Sequence, residues 1–332
     1  MKRHGWLVLF ILGSAGVTLL APLVGGQAIS IDAVLAARPN DPDAIIFWDI
    51  RLPRVCLAWV AGAGLAAAGM AFQALFRNAL ATPFTLGVSS GASLGAAIGV
   101  RMWLGASLLG FSGVTIGAMG GALLAIAIVS GLTSLKRTCS TGAMLLAGVA
   151  VNFFFSSLIL LIQYTADFYD TFRILRWLMG GLQMVGFESS LQVLPFVACG
   201  TILLASLVGE LNLLTVGEEL AISRGVAVAR VKTLLFLAVS AMVGVIVSIC
   251  GPVGFVGLMC PHICRIIVGP DHRRLLPATV LFGGVFLVVC DTIARTAFAP
   301  TELPVGIFTS FLGGPFFLWL LLKPPRNTVP AA

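Results

Sequence analysis

Charge is what this chain has least of. Only 10% of its 332 residues are Asp, Glu, Lys or Arg, whereas 59% are apolar, and an ordinary soluble domain carries roughly 25% charged residues. With a mean hydropathy of +1.06, a water-soluble globular domain is excluded. None of the four lysines (Lys2, Lys136, Lys232, Lys323) follows a glycine. The G-x-x-x-x-G-K-[ST] loop that cradles nucleotide phosphates is therefore missing, and any energy source is another subunit or an ion gradient. An ion-coupled secondary transporter wants acidic or histidine relays at mid-membrane. Only Asp291 approaches that depth, and it lies toward one end of its run. No cluster of residues suits a membrane transferase or protease, and nothing calls for a cofactor.

What the chain does have is apolar runs long enough to cross a hydrocarbon layer of about 30 Å as helices. Ten are readable, at 6–24, 54–75, 85–100, 113–135, 142–164, 191–208, 233–250, 252–269, 275–298 and 304–322. The first also fits a signal peptide, but it is long enough to span and lacks a small-residue cleavage pattern before Gly25. These runs predict an all-α, polytopic membrane bundle forming a single domain over 1–332, with no soluble domain left over. Ten crossings put both termini on one side. Thirteen of the twenty Lys and Arg fall on that side and seven on the other, so the termini are expected in the cytoplasm. The formal charge of +7 thus reads as membrane orientation rather than nucleic-acid binding.

Three loops are long enough to act. The outer loop 25–49 is acidic, and the pattern in 166–190 predicts a short amphipathic helix around Thr171–Met179. The inner segment 209–232 reads as helical and partner-facing. Gly62, Ala66 and Gly69 share one face of the second helix, which allows close approach of a neighbour. The seven cysteines, 56, 139, 199, 250, 260, 264 and 290, read mostly as small buried hydrophobes. Cys260 and Cys264 share a helix face while His262 points about 200° away, so this cluster is read as no metal site. Asp291 and Arg295, one turn apart, are expected to pair with each other. Asn152, Gln73 and Gln163 are expected to hydrogen-bond between helices more readily than to line a pathway.

Several segments together resemble the FecCD family of binding-protein-dependent permeases, over about residues 45–323. They include Arg51-Leu52-Pro53-Arg54, Arg77-Asn78-Ala79-Leu80-Ala81-Thr82-Pro83, Leu86-Gly87-Val88-Ser89-Ser90-Gly91-Ala92, Gly254-Phe255-Val256-Gly257-Leu258 and Glu302-Leu303-Pro304-Val305-Gly306. The resemblance implies a type II ABC importer permease in the bacterial inner membrane, passing an iron chelate such as a ferric siderophore or haem, or alternatively cobalamin. It implies a homodimer, two cytoplasmic ABC ATPases and an outer substrate-binding protein. Arg51, Arg54 and Arg295 would dock the binding protein. Gly217, Glu218, Ala221 and Gly225 would form the ATPase-coupling segment, and Thr141 and Gly142 the cytoplasmic gate. At that gate the sequence departs from a common Ser-Thr-Ser run, and elsewhere Asn78-Ala79 stands where Asn-Pro is usual.

Overall fold

The computed structural model describes residues 5–36, 41–102, 110–135, 141–182 and 186–322, and these contain helices and connections but no strand. In chain order the helices are α1 (Gly5–Leu20), the short α2 (Ile31–Ala36) and α3 (Pro42–Ile45), α4 (Leu52–Phe76), α5 (Val88–Arg101), α6 (Gly113–Leu135), α7 (Thr141–Thr165) and α8 (Phe168–Leu178). There follow α9 (Glu188–Ser206), α10 (Val208–Val216), α11 (Glu218–Ser223), α12 (Val228–Cys250), α13 (Val256–Val268), α14 (His272–Thr296) and α15 (Val305–Leu322). Each of the ten apolar runs coincides with one helix: α1, α4–α7, α9 and α12–α15. Seven segments are long and apolar enough to cross a membrane unaided, while α5, α13 and α15 are the shorter members. Lys2, Arg3, Arg38, Lys136, Arg137, Cys139, Lys323 and Arg326 lie outside the described residues.

The centre of the bundle is α4, buried over nearly its whole length. Apolar side chains gain little by leaving lipid for protein, so close backbone packing must hold such helices together. On α4, Gly62 lies against the backbone of Gly283 on α14, and Gly69 against the backbone of Gly257 on α13. The small-residue face read from the sequence is thus where two helices close in. A second seam, unread in the sequence, joins Gly91 and Gly95 of α5 to Gly121 and Gly117 of α6.

One end of the bundle carries α8 and the other carries α10 and α11. Helix α8 starts three residues before its expected position because the Asp167 carboxylate caps it, accepting from the Asp170 amide at 2.8 Å. Between α12 and α13 the backbone is non-helical and partly buried, which membrane depth tolerates only when protein satisfies its polar groups. Here Cys250 O accepts from Gly181 N at 2.8 Å, and Gly180 O accepts from Gly306 N at 3.3 Å. Large apolar side chains cover the outside, among them Phe153, Leu160 and Tyr164 on α7 and Phe311 and Leu318 on α15, as a lipid or partner-helix surface requires.

Candidate functional site

At the α8 end, Arg54 opens α4 and is 5% exposed. Its Nη2 reaches Asp291 Oδ1 at 2.8 Å and its Nη1 reaches Glu302 Oε2 at 2.7 Å. A buried guanidinium without anions would be costly, and two carboxylates with fork geometry compensate it. This corrects the expected Asp291–Arg295 pair. Helical spacing allowed it, but Asp291 spends both oxygens on Arg54, and Arg295 turns to the Ala21 carbonyl at 2.6 Å. Arg51 likewise donates to the main-chain carbonyls of Leu23 and Gln27. The three arginines expected to dock a binding protein are therefore turned inward and buried, where they tie the start of α4, the end of α14 and the 21–27 connection together. Beside them a cavity of about 430 Å³ is walled by Arg54, Phe172, Arg176, Met179, Glu302 and Pro304.

At the opposite end, α10 and α11 are separate helices because Gly217 is fully extended between them (φ 167°, ψ 148°). Glu218 accepts from Lys232 Nζ at 2.6 Å and pairs with Arg77 Nη2 at 3.4 Å, fixing α11 to the start of α12 and the end of α4. Ala221 is fully buried under α11. Gly225 adopts φ +83°, a left-handed turn that a Cβ disfavours. The four expected coupling residues are thus brought into one element, with Val216, Leu220 and Ile222 exposed along it. A surface hollow of about 680 Å³ lies beside it, walled by Glu210, Leu213, Arg224, Val226 and Arg273. Behind this element, Asn212 of α10 bonds the first residues of α14. Its Nδ2 donates to Asp271 Oδ1 at 2.8 Å, and its Oδ1 accepts from the His272 amide at 2.9 Å and faces His272 Nδ1 at 2.7 Å. The Asn212 hydrogen bond, then that from the Arg273 amide, holds the Asp271 carboxyl below its usual range.

Thr141 and Gly142 form the first turn of α7, with Gly142 exposed. The amide of Asn152 donates to Phe84 O at 3.1 Å and accepts from Ser90 Oγ at 2.7 Å, bracing the turn before α5. Gln73 bridges α4 to α13, donating to Gly257 O at 3.3 Å and accepting from Arg265 at 3.0 Å. Gln163 contributes its main-chain carbonyl to the Thr171 hydroxyl at 3.4 Å. Cys260 and Cys264 are fully buried, and the His262 ring packs edge-on to Phe316. Two features escaped sequence reasoning. The Arg54–Glu302 pair spans 248 positions and has no local signature, whereas Asn212, a lone amide among leucines, was a readable signal.

The model of the FecCD transport family matches residues 9–323. The chain belongs to the FecCD transport family. Among its relatives, the hemin transport system permease protein HmuU of Yersinia pestis is 37% identical over 320 residues, 96% of this chain and 93% of that one. The vitamin B12 import system permease protein BtuC of Salmonella paratyphi A is 38% identical over 327 residues, covering 97% and 96%. A solved structure, an inward-facing transporter assigned to the metal-chelate ABC type, superposes with a TM-score of 0.82 at 29% identity over 96% of this chain and 98% of that one. This FecCD chain is accordingly an ABC importer permease, a transport subunit spanning the membrane several times.

Proposed function

We propose that the chain is the translocating half of an ATP-driven importer for an iron chelate, a ferric siderophore or haem, in the bacterial inner membrane. Two copies enclose the pathway, and one ATPase binds beneath each. The α10–α11 end is cytoplasmic, as are both termini, and the α8 end receives a substrate-binding protein. The relatives named for hemin and for vitamin B12 leave cobalamin as the second reading of the cargo, because the two are matched about equally well.

The observation that carries this reading is the α10–α11 element. A short helix with exposed Val216, Leu220 and Ile222, clamped from behind by the Glu218 ion pairs, suits insertion into a groove on a soluble partner. Gly217, Glu218, Ala221 and Gly225 then serve the ATPase by shaping the element. Thr141 and Gly142 narrow the pathway at the cytoplasmic end of α7, and tilting of the coupling element opens it as a rigid-body movement. Arg51, Arg54 and Arg295 serve docking through the rim they hold, since each guanidinium is already bonded within the chain.

The test is ATP hydrolysis by the chain reconstituted with its ATPase, with and without binding protein carrying ferric siderophore, haem or cobalamin. Enhancement by one loaded carrier names the cargo. Glu218→Arg is expected to abolish assembly with the ATPase. Intact assembly and turnover in that variant, or no association of the wild-type chain with any ATPase, would sink the reading.

A further inference from the structure

Resting on the ATPase-docking reading of α10–α11, we infer that Asn212 is the positioning residue that makes α14 the strut between the coupling element and the rim at the α8 end. Two observations on opposite ends of one helix support it. At its start, α14 is held to α10 by the three converging bonds of Asn212. At its far end, Asp291 on the same helix accepts from Nε and Nη2 of Arg54, and Nη1 of Arg54 holds Glu302 beside the cavity at the α8 end. No other described contact of α10 with α14 has comparable directionality. Leu211 and Leu214 bury α10 against the bundle, but apolar contacts are non-directional and permit sliding. An amide bonded simultaneously to a helix cap, a main-chain N–H and an imidazole does not.

His272 supports the same conclusion. It is 2% exposed, its Nδ1 faces Asn212, and its Nε2 has no partner. A buried nitrogen left unpaired is a cost that an apolar residue there would avoid. What the imidazole offers in return is its bond to Asn212. A shift of α10 on nucleotide closure therefore drags the start of α14. That helix packs backbone to backbone on α4 through Gly283 and Gly62, so it passes the displacement to Arg54 and Glu302 as a rigid body.

The experiment uses the whole complex of permease and ATPase in lipid nanodiscs, reading the ratio of hydrolysis with and without loaded binding protein and the cargo moved per ATP. Asn212→Ala is expected to assemble but to lose about tenfold in both ratios, within the span by which residues between coupled sites alter coupling. Asn212→Asp is expected to fail alike, because its carboxylate faces Asp271. The exchange Asn212→Asp with Asp271→Asn restores a donor–acceptor pair in reverse and is expected to recover both ratios. Wild-type ratios in Asn212→Ala, or no recovery in the exchange, would overturn the strut. Should Asn212→Ala not fold, the exchange against Asn212→Asp decides alone. Failure of the wild-type chain to associate with the ATPase is a separate result that removes the docking reading and the strut with it.

Discussion

Arg54 shows how far a single residue departs from what spacing suggests. The i, i+4 relation of Asp291 and Arg295 is geometrically sound, yet the arginine opening α4 offers a better fork, from 237 positions away. Removing one member of such a pair leaves a buried charge, whereas replacing both by apolar groups of similar volume is close to neutral. Arg54→Met is therefore expected to destabilise by about 3–5 kcal/mol, and Arg54→Met with Asp291→Leu to recover much of that loss, read as unfolding midpoints in detergent. Asp271 gives a pH prediction. Because its folded carboxyl lies below the ordinary carboxylate range, its stabilising contribution is present above the unfolded value and is lost as pH falls through the lowered one. Unfolding midpoints should hold above the ordinary carboxylate range and fall progressively below it, until the lowered folded value is passed. In Asn212→Ala, whose folded carboxyl lies nearer the unfolded value, the fall should be smaller and complete at a higher pH, and an unmoved profile would show that Asn212 does not hold the carboxylate.

At the scale of elements, the ten runs were legible because lipid demands long apolar helices and little else shares that signature. The short elements were not. The segment 209–232 reads as one helical stretch, but the extended backbone at Gly217 and the left-handed turn at Gly225 divide it into α10, α11 and the start of α12. The capped start of α8 at Asp167 was a readable cap that periodicity alone passed over. Packing seams were half legible: Gly62 and Gly69 stood out by spacing, but their partners Gly283 and Gly257 are set by tertiary structure. Gly62→Val is expected to destabilise by about 1–3 kcal/mol or more by overpacking, because its Cβ meets backbone that cannot rotate away. Gly120→Val, on an exposed helix position with open space around it, is expected to leave the unfolding midpoint unchanged, and thermal melts of the two variants check the contrast.

For the whole molecule, the two ends differ in what they bury and what they show. The α8 end buries Arg51, Arg54 and Arg295 and exposes aromatic side chains such as Tyr169, while the α10–α11 end exposes Glu219. Which end faces the cytoplasm was argued from Lys and Arg counts, several of them outside the described residues. It can be measured directly. In a cysteine-free background, Glu219→Cys is expected to react with a membrane-impermeant maleimide only in inside-out vesicles and Tyr169→Cys only in right-side-out cells. The reverse pattern would invert the orientation. The cargo was not legible at either scale, since no described side chain distinguishes haem from cobalamin.

The meeting of Gly180, Gly251 and Gly306 carries an evolutionary consequence. A Cβ at Gly180 would strike the Pro252 carbonyl, one at Gly251 the Trp177 carbonyl, and one at Gly306 the carbonyls of Met179 and Pro252. Every obstacle is main chain, so no neighbour can relieve the clash by changing rotamer. Three stretches far apart in the gene are thereby bound into a single unit of inheritance. Descendants of this chain can alter the junction only by moving all three strands of it together, and a lone substitution at any of the three should be purged before a second could compensate.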